Sequence, residues 1–150
     1  MIGKLFKLAS LSWPEHRVLL HALMLLPLFW VGLRVLGLSR LHSWVARAPV
    51  AAGTPRLDVE PAAVGALINS AGNVVPFPST CLTRSLLLSW LLHRRGVRSE
   101  VRIGVRTIDG RLDAHAWVEC DGRPVNDAQD VAACFAAFDG PLSPGSFSSP

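Results

Sequence analysis

The chain contains little cysteine, and its cysteines are not closely paired. The three cysteines are spread widely among 150 residues, and none forms a Cys-x-x-Cys pair. An odd, dispersed set excludes a disulfide-framework mini-protein, and the lack of paired ligands argues against a structural zinc site. Half of the residues are hydrophobic and the mean hydropathy is +0.35, which excludes a disordered polyelectrolyte. We therefore expect one folded domain that needs no metal or other cofactor.

The apolar N-terminal stretch, residues 18–38, lacks an uncharged segment long enough for a clean membrane span. Its segment from Ala22 to Leu33, free of charge and of histidine, has 12 residues, whereas a spanning helix needs about 20. No small-residue cleavage site follows it, as a signal peptide requires. A helix that is apolar around most of its circumference must still be covered. Three interpretations stay open: a helix buried or facing a partner protein, a helix on a membrane surface, and a true span or signal.

Aromatic residues are missing where arginine is most concentrated. The formal net charge is +4, and six arginines lie within a short stretch: Arg94, Arg95, Arg98, Arg102, Arg106 and Arg111. Proteins that bind single-stranded nucleic acid combine such charges with aromatic side chains on which bases stack. We interpret the cluster as a solvated strand face, with an acidic peptide as its alternative ligand, and we expect no nucleic acid partner.

Helical signals dominate the first half of the chain. Ser12 and Glu15 have the spacing of a capping box. The helix that follows is predicted to run to about Gly37, with a kink near Pro27. Residues 39–47 are predicted to form one more short helical piece.

Composition divides the chain into three regions. Residues 48–57 are rich in small residues, proline and glycine and are interpreted as a linker. We therefore assign a helical N-terminal region to 1–57, a core domain to 58–139 and a flexible tail to 140–150. A helix capped by Asp58 opens the core domain.

Between positions 79 and 127 the pattern changes from helix to strand. Ser79 or Thr80 can cap a helix that Gly96 ends. Alternating apolar and polar residues then predict strands, with a hairpin turn at Asp109 and Gly110. The predicted strands cover residues 100–106, 112–120 and 123–127.

Three residues of this segment have the chemistry of a thiol enzyme. Cys81 lies in the first turn of the predicted helix, where the dipole favours a thiolate and unpaired N–H groups can stabilise an oxyanion. His115 lies on a predicted strand and Asp127 on the next. A histidine can act as general base for the thiol, and a carboxylate can hold the imidazole in one tautomer.

Whether His115 and Asp127 meet depends on the hairpin register. A three-residue loop ending at Gly122, the position that favours a left-handed residue, pairs them directly on one face. A two-residue loop, Asp121 and Gly122, pairs residue 116 with 127 and sends the two side chains to opposite faces. The contact is thus a test of the register.

Several runs of residues carry a family resemblance. They are CLTRSLLL (81–88), LLHRRG (91–96), IGV (103–105), AHAWVE (114–119) and DG (121–122). In this order they resemble the transglutaminase-like lasso peptide B proteins, also described as the microcin-processing B protein C-terminal domain family. The match covers about residues 76–127, and the leucine-rich N-terminal helix resembles that of the stand-alone members. Residues 59–75 are less basic than the family pattern.

The resemblance implies an α+β, papain-like or transglutaminase-like cysteine-peptidase fold: a helix packed on an antiparallel sheet, with a helical N-terminal subdomain. It implies leader removal from a ribosomally made precursor peptide, with Cys81 as nucleophile, His115 as base and Asp127 as orienting residue. It also implies a separate precursor-recognition protein, an ATP-dependent macrolactam synthetase as the next enzyme, and a cytoplasmic location, at the inner face of the membrane if residues 18–38 contact it.

Two further residues are candidates for substrate binding. Trp117 shares the strand face of His115 and either walls the site or belongs to the core. Gly104 lies near His115 across the preceding hairpin and either leaves room for substrate backbone or tolerates a bulge. Two other functions stay open: acyl transfer on the same fold, and a non-catalytic scaffold that holds the precursor or the synthetase.

Overall fold

The computed structural model describes residues 11–50 and 59–137. The predicted tail, 140–150, and most of the predicted linker, 48–57, lie outside the described residues. Asp58 lies outside them too, but the N-cap of the helix that begins at Pro61 is Glu60, so the predicted cap at Asp58 is wrong. The boundaries of the three assigned regions also fall outside, so that division stays a prediction.

Helix α1 (Trp13–Arg47) begins and breaks at residues that the sequence singled out. The Glu15 carboxylate accepts hydrogen bonds from the Ser12 backbone N–H and hydroxyl, each at 2.7 Å, which confirms the capping box. Gly37 has φ 76° and ψ 170° and divides the helix into two segments, because glycine tolerates this conformation. Gly37 is the one non-helical residue of α1, and Pro27 lies within the first segment, where the predicted kink stays a prediction.

Two shorter helices pack beneath α1. Helix α2 (Pro61–Gly72) starts with a proline, whose missing N–H is harmless in a first turn. Helix α3 (Cys81–Arg94) is capped by Thr80, whose side chain accepts from the Thr83 N–H at 3.3 Å. Gly96 follows it with φ 71°. Both predicted ends of α3 are therefore confirmed.

The second half of the chain forms an antiparallel sheet with the order β3-β2-β1-β4. Its long strands, β1 and β2, are joined by the predicted turn, where Asp109 and Gly110 both have positive φ. A short helix, α4, precedes the last strand. The elements are β1 (Glu100–Ile108), β2 (Arg111–Cys120), β3 (Arg123–Pro124), α4 (Val131–Cys134) and β4 (Ala136–Ala137).

The sheet carries apolar clusters on both faces, because successive side chains of a strand alternate. Val101 and Val118 point into the main core, which they share with the buried residues of the three long helices. Trp117 points to the other face and packs with Val131 and Phe135 in a smaller cluster. The α+β fold with a helix packed on an antiparallel sheet is thus confirmed.

The segment after β2 departs from the sequence prediction. Glu119 pairs with Pro124 and Cys120 with Arg123, so the loop has two residues, not three. The three-residue register is therefore wrong, and the predicted third strand is only two residues long. Helix α4 and strand β4 were not predicted from the sequence.

Candidate active site

Cys81 is the first residue of α3 and is partly buried. The Thr83 N–H of the first turn is bonded to the Thr80 side chain, and the Arg84 N–H to the Thr80 carbonyl. In the part of the chain that the structure describes, no acceptor bonds the N–H groups of Cys81 and Leu82. Two donors at the positive end of the helix are thus free to face a negative charge beside the sulfur.

Helix α3 contacts the edge of the sheet where β3 has ended. The Ser85 hydroxyl donates to the carbonyl of Ala116 at 3.1 Å. Ser85 lies four residues after Cys81, one turn along the same helix face, and Ala116 is the neighbour of His115 on β2. This bond places the start of α3 at the part of β2 that carries the histidine.

His115 and Asp127 are in contact. The His115 Nε2 donates to the Asp127 Oδ2 at 2.5 Å, and about a quarter of each side chain is exposed. The second carboxylate oxygen accepts from the Ala128 N–H at 2.8 Å. Since Nε2 is engaged by Asp127, Nδ1 is the ring nitrogen left to exchange a proton with a thiol or a water molecule. Among the described residues, no hydrogen bond joins Cys81 to this pair.

This contact forms in the register that was expected to prevent it. Residues 125–127 leave the strand after Pro124, so the alternation of side chains no longer applies to Asp127. The Val125 N–H still donates to the Val118 carbonyl at 2.9 Å, but the Val118 N–H donates at 2.8 Å to the side chain of Asn126 instead of to the Val125 carbonyl. The contact is confirmed, and the reason that sequence pairing gave for it is wrong.

Asn126, which the sequence analysis missed, holds the segment before Asp127 from three sides. Its side chain accepts from the Val118 N–H and donates to the Ser85 hydroxyl at 3.1 Å. Its carbonyl accepts from Asn69 of α2 at 2.8 Å. The only signal in the sequence was an asparagine inside a predicted strand, where this residue type is disfavoured.

A glycine of α2 lets this segment approach closely. A Cβ atom on Gly65 would lie 2.1 Å from the carbonyl oxygen of Val125 and 3.0 Å from the Asn126 Cα. Only a glycine fits at this contact. Helix α2 therefore positions the segment by shape as well as through Asn69.

The two substrate-binding candidates pack against neighbouring side chains. Trp117 is fully buried, and its indole N–H donates to Glu119 at 2.8 Å. A Cβ on Gly104 would lie 2.8 Å from the Phe135 Cβ and 3.1 Å from the Trp117 ring. Packing thus accounts for both residues, and a role for Trp117 and Gly104 in binding substrate stays a prediction.

Phe135, also missed by the sequence analysis, forms a wall beside the histidine. Its ring stacks on His115 with centroids 5.0 Å apart and an interplanar angle of 29°. The Arg106 guanidinium covers Phe135 at 4.2 Å from the ring centroid. The imidazole is thus held by a carboxylate at one ring nitrogen and by an aromatic surface along its plane.

Two arginines of the basic cluster have acidic partners. Arg102 bonds Glu119 at 3.2 Å, and Arg106 bonds Asp113 at 2.8 Å. These ion pairs agree with the interpretation of a strand face, although they engage part of its charge. Within residues 11–50 and 59–137, no three His, Cys, Asp or Glu side chains gather as a metal site would require.

The other two cysteines differ from Cys81 in their surroundings. Burial, followed by the charge of Asp121, raises the pKa of the Cys120 thiol above its ordinary value. A raised pKa favours the unreactive thiol form. Cys134 is exposed, on the short helix α4. Of the three cysteines, only Cys81 lies at the N-terminus of a long helix, where the helix dipole favours a thiolate.

Comparisons with known proteins agree with this geometry. A family model described as the transglutaminase-like superfamily matches residues 22–138. The microcin J25-processing protein McjB of Escherichia coli is 40% identical over 55 residues, which are 37% of this chain and 26% of that protein. The chain thus aligns with about a quarter of that relative's length. No solved structure matches it.

Proposed function

The chain belongs to the transglutaminase-like superfamily, and we propose that it is a cysteine peptidase that removes the leader from a ribosomally made precursor peptide during lasso peptide biosynthesis. The observation that carries the proposal is the His115–Asp127 pair at the sheet edge on which α3, beginning with Cys81, is docked. The similarity to a microcin-processing protein supports the substrate class.

In the first half of the proposed reaction the thiol becomes acylated. His115 Nδ1 takes the proton of Cys81, and the sulfur attacks the carbonyl carbon at the leader–core junction. The N–H groups of Cys81 and Leu82 stabilise the oxyanion. The carbon–nitrogen bond then breaks, its electron pair stays on the core amine, and His115 returns the proton to that amine. A thioester between the leader and Cys81 remains.

In the second half, water releases the leader. His115 takes a proton from the water molecule as its oxygen attacks the thioester carbonyl. The carbon–sulfur bond breaks, the leader leaves with a new carboxylate, and the thiolate recovers its proton. Asp127 keeps the Nε2–H of His115 in place throughout and stabilises the imidazolium that forms in each half.

The proposal includes the setting of this reaction. A separate protein presents the precursor, as the resemblance to the stand-alone members of the family implies. An ATP-dependent macrolactam synthetase closes the ring on the core amine that cleavage releases. We propose that the steps take place in the cytoplasm, where the ribosomal precursor and ATP are present.

The first test is mass spectrometry of a precursor peptide incubated with this protein and its recognition partner. We expect leader release by the wild type, and no release by Cys81→Ala or His115→Ala. Cys134→Ala is the matched control, since it removes an exposed thiol outside the site and leaves release unchanged.

The products also separate the alternative functions. Hydrolysis leaves a leader with a free carboxylate, whereas acyl transfer leaves an amide adduct on the leader. Release that is equal in the wild type and in both site variants would contradict the thiol mechanism. Normal maturation with Cys81→Ala would favour the scaffold.

A further inference from the structure

Helix α1 exposes a row of large apolar side chains along one face. Met24 and Val35 are each 74% exposed and Leu20 is 62% exposed. We call the row the α1 stripe; its members are Trp13, Leu20, Met24, Leu28, Val31 and Val35. Single exposed apolar residues are common on protein surfaces, but a row of this length marks an interaction site.

The spacing of the α1 stripe places all its members on one face. Successive members are seven, four, four, three and four residues apart, which is the helical repeat. From Trp13 to Val35 the row is about 33 Å long at 1.5 Å per residue. It lies entirely in the first segment of α1, before the break at Gly37.

The opposite face of the same helix is already buried. Val18, Ala22, Leu26 and Phe29 belong to the main core. The helix is long and apolar enough to cross a membrane, and 22% of its most apolar window is buried inside the protein. Crossing would remove this buried face from α2 and α3. The fold is therefore compatible with a helix lying on a surface, not with one that spans a bilayer.

The charges around the α1 stripe are positive. Arg17 lies on the stripe itself, four residues after Trp13 and seven before Met24, and Arg34 beside it covers the Trp30 ring at 4.7 Å. In the described part of the chain, neither arginine forms an ion pair with a carboxylate. Glu15 is the one acidic residue of α1. It lies on the side of the helix opposite Met24, and its carboxylate accepts hydrogen bonds from Ser12.

We propose that the α1 stripe binds the surface of an anionic lipid bilayer, with α1 parallel to the membrane plane. The apolar side chains would enter the boundary between headgroups and acyl chains, while the guanidinium of Arg17 bends back to the phosphates. A protein partner with an apolar groove would bury that guanidinium, which is unfavourable without a carboxylate in register. Charge complementarity thus favours lipid as the occupant.

The test is flotation of the full-length protein with vesicles made of equal parts phosphatidylcholine and phosphatidylglycerol. We expect the wild type to float with these vesicles and to bind pure phosphatidylcholine about tenfold less. The double variant Met24→Glu, Val35→Glu should bind the anionic vesicles at least about tenfold less, because it places two carboxylates at the acyl boundary.

The matched control is Leu112→Glu, which changes an equally exposed apolar residue, 74% exposed, on the β1–β2 hairpin. It should bind as the wild type does. Circular dichroism of each variant verifies the fold, which substitutions at exposed positions should leave intact. Arg17→Gln should bind several-fold less and lose part of the salt dependence.

Three results would overturn the proposal. The first is that the folded wild type fails to float with anionic vesicles, and the second is that the double variant floats as well as the wild type. The third is a dimer in gel filtration that the double variant Met24→Glu, Val35→Glu dissociates, which would mean that a second copy covers the α1 stripe. These readouts do not depend on peptidase activity, so this proposal and the proposed function fail independently.

Discussion

Two hairpins share strand β2 and differ in how far their pairing extends. Strands β1 and β2 are joined by a two-residue turn and pair along their full length, from Ile108 and Arg111 to Glu100 and Glu119. Strands β2 and β3 are also joined by a two-residue turn, but only two residue pairs follow it.

The difference separates packing from chemistry. In the long hairpin the alternation is strict, so Val101 and Val118 face the main core while Trp117 faces the smaller cluster. In the short hairpin the chain leaves the sheet after Pro124, which frees Asp127 from the alternation and lets it reach His115. The interruption, not the regular pairing, forms the site.

The largest expected effect is on leader release, and it compares two carboxylates, one beside each hairpin. Asp127→Asn should lower kcat/KM for leader release by about 10³-fold, because the imidazole loses its orienting charge. Asp113→Asn, which removes the partner of Arg106 in the long hairpin, should change it by less than about twofold, since that ion pair is well exposed. Equal losses in the two variants would contradict the separation.

An intermediate effect is expected where side chains replace the missing strand pairs. Asn126→Ala removes the acceptor of the Val118 N–H and the donor to Ser85. Leaving the part-buried Val118 N–H unpaired should lower the free energy of unfolding by about 1–3 kcal/mol, while the Ser85 hydroxyl keeps its bond to the Ala116 carbonyl. Leader release should fall by more than the loss of folded protein explains, because Asp127 is no longer held.

Urea unfolding and kcat/KM for the same Asn126→Ala sample separate these two effects. Asn126→Asp keeps the acceptor for Val118 and should recover part of the activity. Gln129→Ala, which removes a single hydrogen bond to the Pro124 carbonyl, is the control and should retain nearly full activity. Wild-type activity per folded molecule in Asn126→Ala would show that Asp127 needs no such support.

The third effect is one of shape alone and is expected in stability, without a direct loss of a group at the site. Gly65→Ala would place a methyl group 2.1 Å from the Val125 carbonyl oxygen, so backbone must move, at a cost of about 1–3 kcal/mol. Gly32→Ala meets only the Leu41 side chain at 3.4 Å and should be neutral or slightly stabilising. Thermal unfolding compares the two. A Gly65→Ala protein as stable as Gly32→Ala would mean that α2 does not press on the segment.

The elements that the sequence predicted well are decided by neighbouring residues. The capping box of Ser12 and Glu15, the cap at Thr80, the stop at Gly96 and the turn at Asp109 follow from local sterics and local hydrogen bonds. Cys81 at a helix start and His115 on a strand followed from the same signals and from the family resemblance.

The short β3 could not be predicted in this way. The chain leaves the sheet there because Ser85 and Asn69, both distant in sequence, offer hydrogen bonds to Asn126 that compete with strand pairing. Phe135 reaches His115 for a similar reason, since its place is set by the room that Gly104 leaves. Periodicity describes a regular element and contains no information about such tertiary contacts.

The spread of the site along the sequence has a consequence for synthesis on the ribosome. Cys81 is made 46 residues before Asp127 and 54 before Phe135. The contacts that hold His115 come from these two later residues. A growing chain therefore carries its thiol for some time without the groups proposed to activate it. The thiol gains those groups only when the C-terminal segment has emerged and folded onto the sheet.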